Sequence, residues 1–338
     1  MPIRRIAALF AASLAVAALG YTVYWFHAAT VLRKGVEDWA EQKRAEGWQV
    51  TWDSLDTGGY PLHLSLTLAA PAVAAPDGAR WRGEHLTAHA TPFDPSRLRV
   101  TSPGRHVVAW SGGEAVVQVS SARLDVDLDR QGMLDDATLL ASGISVDGLA
   151  GAPLRAAGLA LTIDPLPVAH PDHTTATLRF SATAHDLTLP ALPGLPLDRE
   201  IGVAEITGRV LGALPHEAPA QALSQWSADG GTVELDHVTL EWSPMAMEAQ
   251  GTVALDPNGQ PVASLAARIR GFAPLMDRLA EGGSIPADTA NAAKLMLMLM
   301  AKPDAKGRPT VPVPVSVQDG ALYLGSARVA RVPAINWQ

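Results

Sequence analysis

From Ile6 to Phe26 the chain carries no charged side chain. A run of about 21 residues rising 1.5 Å each covers about 31 Å as a helix, close to the hydrocarbon thickness of a bilayer. The segment therefore predicts a membrane crossing. Arg4 and Arg5 precede it. The positive-inside bias then keeps the N-terminus cytoplasmic and sends everything beyond Phe26 across the membrane, as a single-pass protein. Tyr21, Tyr24, Trp25 and Phe26 close the run and read as an interfacial anchor, since amphipathic rings favour the headgroup level. The alternative is a cleaved signal peptide, with Ile6 to Leu14 as its apolar core and Ala15-Val16-Ala17 as its processing site. Either reading exports the rest. The organisation expected is an anchor over 1–27 and a β-rich exported domain over 28–338.

Beyond the anchor, Val31, Leu32, Val36, Trp39 and Ala40 recur near helical spacing, predicting a helix over 28–46 that stops at Gly47. The period then changes to two. Gln49 to Trp52, His63 to Leu68, Ala115 to Leu128, Leu159 to Ile163, Thr175 to Leu187, Thr232 to Trp242, Met245 to Leu255 and Ser264 to Ile269 alternate polar with apolar, the pattern of half-buried strands. Turn residues separate them, as at Gly58-Gly59, Pro76-Asp77-Gly78, Gly112-Gly113 and Asp256-Pro257-Asn258-Gly259. Many strands without regular helical crossovers predict a mainly β fold, a large, curved, mostly antiparallel sheet, with further helices near 272–301 split around Gly282 to Pro286. Strands resume at Val311 to Val317 and at Ala321 to Leu324. Pro190 to Pro196 reads as a loop or an edge. The string Gly-x-Val-x-Leu-Asp occurs at Gly231 to Asp236 and again at Gly251 to Asp256, marking successive hairpins.

The sequence offers little conventional chemistry. It has no cysteine, which excludes thiolate catalysis, disulfides and cysteine metal sites. A net charge of −8 argues against nucleic acid as a partner. Phosphate-loop, dinucleotide and zincin motifs are missing, and Gly143 to Asp147 lacks the second glycine of a nucleophile elbow. His85 with His89, His170 with His173, and His185 read as scattered surface histidines without a metal. Asp125, Asp127 and Asp129 alternate onto one face and read as solvated, because a buried trio would repel itself. No catalytic residue and no cofactor is assigned.

Leu295 to Met300 alternates Leu and Met and is apolar all round as a helix. It reads either as a helix buried under the sheet or as a lid or floor over a hydrophobic groove, with Met296, Met298 and Met300 suited to varied acyl chains. Leu64, Leu66 and Leu68, alternate residues of one strand, are the expected lining of such a groove.

Three blocks carry a family resemblance. They are Gly47-Trp48-Gln49-Val50 leading into Gly59-Tyr60-Pro61-Leu62; the Leu240-Glu241-Trp242 to Asp256 hairpin with Gly271-Phe272; and Val313 to Gly325 followed by Pro333 to Trp337. The chain thereby resembles the bacterial family known as domain of unknown function 2125, which implies a membrane-anchored envelope protein without an established activity. The Gly-Tyr-Pro turn and late strand order are also similar in pattern to AsmA-like lipid-transfer proteins, implying a β-sheet groove for lipid. The function expected is a non-enzymatic protein whose sheet binds or conducts lipid or another apolar envelope component, with membrane lipid as its partner. An envelope scaffold that presents edge strands to other envelope proteins is the alternative, and a hydrolase with a non-local active site is a third.

Overall fold

A computed structural model describes residues 2–148, 153–189, 197–213, 219–283, 285–304, 306–332 and 334–335. The loop expected at Pro190 to Pro196, Ser284 of the expected helix break, and Pro333, Asn336 and Trp337 of the C-terminal block lie outside the described residues.

The anchor and the helix expected after it are one element. Helix α1 (Pro2–Ala45) runs 44 residues, about 66 Å at the standard rise. No proline interrupts it between Pro2 and Pro61. It is long and apolar enough to cross a membrane. Its second half turns a stripe inward, with Trp25, Ala29 and Ala40 buried and Leu32 and Val36 half-buried, at the i, i+4, i+7 spacing of one helix face. Past its end Gly47 sits at φ 89°, the left-handed stop that the sequence predicts. Arg44 then donates to the Val50 carbonyl through Nε at 3.0 Å and Nη2 at 2.6 Å.

The described chain divides into two compact units, one of residues 1–134 with 145–148 and one of 135–144 with 149–338. In the first, β1 (Gln49–Thr51), β2 (Ser54–Gly58), β3 (Leu64–Ala69), β4 (Ala72–Ala74), β5 (Arg80–Gly83), β6 (His85–Thr91), β7 (Asp94–Thr101), β8 (Gly104–Trp110) and β9 (Gly113–Leu128) follow α1. They form two antiparallel ladders, β2-β3-β6-β7 and β1-β4-β5-β8. The long β9 serves both, pairing β8 through Gly113 to Val119 and β7 through Arg123 to Asp127. The inward stripe of α1 packs on the first ladder, Trp25 and Ala29 against Leu64, and Leu32 and Val36 against Leu55, Leu66 and Leu68.

The second unit takes most of β10 (Leu134–Asp147), then β11 (Leu154–Pro165), β12 (Ala176–Thr188), β13 (Glu200–Leu211), α2 (Pro219–Ala228), β14 (Thr232–Trp242), β15 (Met245–Leu255), β16 (Pro261–Arg270), α3 (Phe272–Glu281), α4 (Ala287–Met300), β17 (Lys302–Pro303), β18 (Pro309–Gln318), β19 (Ala321–Leu324) and β20 (Ala327–Arg331). Strands β11 to β16 pair in chain order, each antiparallel to the next, and continue through β18, β19 and β20. The mainly β, antiparallel fold and the helices near 272–301 are as the sequence predicts. The two Gly-x-Val-x-Leu-Asp strings are neighbours in one hairpin, with Val233 opposite Val253.

The structure adds α2 and strands such as β5, β7 and β13. Strand β7 alternates exposed Arg97 and Arg99 with half-buried Leu98 and Val100 over a short span, and it pairs with β6 and β9. Helix α2 is short and fixed through Trp226, which is buried and donates to the Leu211 carbonyl at 2.8 Å.

Candidate functional site

Strand pairing in the second unit aligns side chains that the sequence scatters over some 165 positions. In one row across the strands, Leu161 lies opposite Ala182, Ala182 opposite Ile206, Ile206 opposite Val238, Val238 opposite Ala249, Ala249 opposite Ala267 and Ala267 opposite Val313. Two residues along, a parallel row runs Leu159, Ala184, Ala204, Leu240, Met247, Ile269 and Val311. On the other side lies Ile163, Phe180, Gly208, Leu235, Gly251, Leu265, Val315 and Leu324. Because side chains alternate across a strand, all three rows share one face, and none contains a polar side chain.

The opposite face is the wet one. It carries Arg179 on Asp164 at 3.2 Å, Arg209 on both Glu234 and Asp236 at 2.8 Å, and Arg270 on Glu241 at 2.8 Å. Alternation in β14 breaks at Asp236-His237, where the register slips on both sides of the strand between Leu235 and Val238. The bulge absorbs the extra residue, so Leu235 and Val238 stay on the apolar face and Asp236 reaches Arg209.

Glycine makes room on this face at Gly208. A Cβ there would sit 2.8 Å from the Phe180 ring and 2.4 Å from the Glu234 carbonyl oxygen, so only glycine lets the ring lie across its neighbour strand. Ala249, Ala267 and Val315 form a small buried cluster. Around the first row, Leu159, Ala182, Ala204, Ile206, Leu240 and Met247 line an open depression of about 340 Å³. Helix α2 touches the end of β13, where Trp226 bonds the Leu211 carbonyl; α3 packs on α4, and α4 touches β18.

The residues expected to line a groove are placed differently. Leu64, Leu66 and Leu68 are buried in the first unit beneath α1, with Leu66 1% exposed. They form a closed core and face no groove, because the inward stripe of α1 covers them. Met296, Met298 and Met300 are exposed, at 64, 53 and 49%, and Leu299 reaches 82%. The reading of that helix as buried under the sheet is therefore corrected: only Ala290 of α4 is buried, and Lys294 ties the helix to α3 through Asp277 at 2.6 Å.

Tyr21, Tyr24, Trp25 and Phe26 sit together on one and a half turns of α1, and two loops of the first unit close round them. Tyr24 donates to the Pro92 carbonyl at 2.6 Å and Trp25 to the His63 carbonyl at 3.1 Å, while the Tyr21 hydroxyl bonds the Pro61 carbonyl. Phe26 and Trp25 pack on Tyr60, and Tyr21 stacks on Phe93 at 5.6 Å. Tyr60 and Leu62 share one turn while Phe93 lies on another well downstream, so their grouping is not legible in the sequence.

Polar constellations resolve into structure. Asp125 takes Arg99 at 2.7 Å and Arg123 at 2.8 Å, and Asp127 lies 3.5 Å from Arg97. The row stays part-exposed, with two of the three carboxylates facing arginines across the ladder, and Asp129 accepts the turn amides of Gln131 and Met133. Asp172 accepts the hydroxyls of Thr174 and Thr175 and the Thr174 amide; those donors, Thr175 first, lower its pKa to about 2. Ser145 lies within β10. His63, His89, Arg97 and Arg99 border an open cavity of about 610 Å³. Among the described residues no group of three or more His, Asp or Glu side chains could hold a metal.

A family model described as an uncharacterized protein conserved in bacteria matches residues 25–333. No curated protein and no solved structure matches the chain, so the resemblance in pattern to AsmA-like lipid-transfer proteins gains no support.

Proposed function

The chain belongs to the DUF2125 family of uncharacterized bacterial proteins, and from that premise we propose that it is a non-enzymatic, membrane-anchored envelope protein that holds lipid acyl chains on the apolar face of its second unit. One observation carries the reading: three adjacent rows without a polar side chain cross β11 to β16 and β18. Over β15, β16 and β18 these rows are buried at Ala249, Ala267, Ile269, Val311 and Val315. The open part of the face therefore lies over β11 to β14, where Leu159, Ala182, Ala204, Ile206 and Leu240 line the apolar depression, and an open apolar patch of this kind marks a binding site.

The chemistry favours an acyl chain over a protein partner. Protein interfaces place about one hydrogen bond in every 100–200 Å², and this face offers no side-chain donor or acceptor. A hydrocarbon chain needs none, and each methylene it buries contributes about 0.8 kcal/mol. Small residues at Ala182 and Ala204 leave a shallow depression between the larger Leu159, Ile206, Leu240 and Met247 side chains. Helix α1 gives the protein direct access to a lipid source. Arg4 and Arg5 orient it with the N-terminus cytoplasmic in the inner membrane and the β units periplasmic.

The test is photocrosslinking of the full chain in liposomes that contain a phospholipid with a photoactivatable acyl chain, followed by peptide mapping. Adducts on the peptides bearing Leu161, Ile206 and Val238 support acyl-chain binding. Adducts confined to α1 overturn it.

A further inference from the structure

Resting on α1 as the membrane span, we propose that the two loops clasped to Tyr21–Phe26 form a second membrane contact, a collar that dips into the lipid headgroup layer and seats the first unit on the bilayer. The depth of these loops is set by bonds, not by their own sequence. Pro92 and His63 each accept a hydrogen bond from the helical turn at Tyr24 and Trp25, and Tyr60 stacks on Phe26 at 6.0 Å. With Phe26 closing the apolar run, whatever is bonded to that turn lies at the interface.

The loops are composed for that level. Gly59-Tyr60-Pro61-Leu62 and Pro92-Phe93 hold no charge. Leu62 and Phe93 are 80% and 79% exposed, and Tyr60 is half-exposed. Isolated exposed apolar residues are ordinary; three on two separate loops gathered round the exit of one helix are not scattered. Their shape is fixed as well. Gly59 lies at φ 95°, and a Cβ there would meet His63 at 2.5 Å, so the turn that projects Leu62 is specified by glycine. The occupant is the bilayer interface itself, because the helix holding the collar already crosses it and aromatic rings beside aliphatic ones favour that layer.

The absence of cysteine makes the test direct. Single-cysteine variants of the full chain, Leu62→Cys, Phe93→Cys, Val16→Cys within the run and Glu41→Cys on the outer part of α1, are labelled with an environment-sensitive fluorophore in liposomes. Glu41 stands about 22 Å along the helix beyond Phe26. Doxyl-labelled lipids then read depth. Strong quenching at 62 and 93 by labels near the headgroup, quenching at 16 by labels deep in the chain, and none at 41 support the collar. Unquenched 62 and 93 with a quenched 16 overturn the collar while leaving the anchor intact, and point to a protein covering the loops. An unquenched 16 overturns the span and the collar with it.

Discussion

The Tyr24 hydroxyl donates to the carbonyl of Pro92 at 2.6 Å across 68 positions of sequence, joining the end of the apolar run to a loop of the β unit. Removing the donor with Tyr24→Phe keeps the ring and loses the bond. The expected effect is about 0.5–1.5 kcal/mol of stability, seen as faster amide exchange at Phe93 and Asp94 in the full chain. Unchanged exchange there would show that the loop is held by packing alone.

Leu66 and Leu62 lie four residues apart with opposite environments, 1% and 80% exposed. Leu66→Ala should destabilise the first unit by about 2–5 kcal/mol through the cavity it leaves under α1. Leu62→Ala should leave folding within about 0.5 kcal/mol. Denaturant titration separates them; a mild Leu66→Ala would mean that the helix does not cover β3.

Ile206→Asp places a charge in the middle of the apolar rows. Its expected result is loss of lipid adducts from the second unit with near-native far-UV circular dichroism. Thr207→Asp, one residue along and on the wet face, should keep them. Equal adduct yields in the two variants would remove the apolar face from the binding account.

Gly208→Val should be among the most damaging single changes in the second unit, because its side chain collides with Phe180 and the Glu234 carbonyl. The expected outcome is a drop in thermal midpoint, relieved in part when Phe180→Ala makes space. Absence of any relief would mean that the backbone contact with Glu234 dominates.

Asp172 is held at a pKa of about 2 first by Thr175 and then by Thr174. A depressed carboxylate stabilises its turn above the unfolded value near 3.9 and loses that contribution as pH falls through about 2. Carboxyl carbon shifts should titrate near 2 in the native chain and move towards 3.9 in Thr175→Ala. A native midpoint near 3.9 would show that the hydroxyls do not hold the carboxylate.

What sequence conveyed and what it hid follows from the range of each signal. The apolar run, the Gly47 stop and the period-two strands are local, so they were legible. The candidate face was visible only strand by strand: Leu161 and Val313 belong to one row because the five strands between them pair in a register no single strand records. Leu64, Leu66 and Leu68 alternate as well as any strand in the second unit, and alternation alone does not say whether water, lipid or α1 lies above. Met296 to Met300 illustrate the converse, since an all-round apolar helix reads as buried until neighbouring elements are placed. Tyr60 was legible as part of a Gly-Tyr-Pro turn but not as a partner of Phe26, and Phe93 gave no local signal.

Strand β9 belongs to both ladders of the first unit, its early residues bound to β8 and its late ones to β7. Neither ladder can peel away without stripping a strand from the other. The unit should accordingly lose amide protection from Val107 through Val126 in one cooperative step, with α1 holding one ladder at β3 and the other at β1.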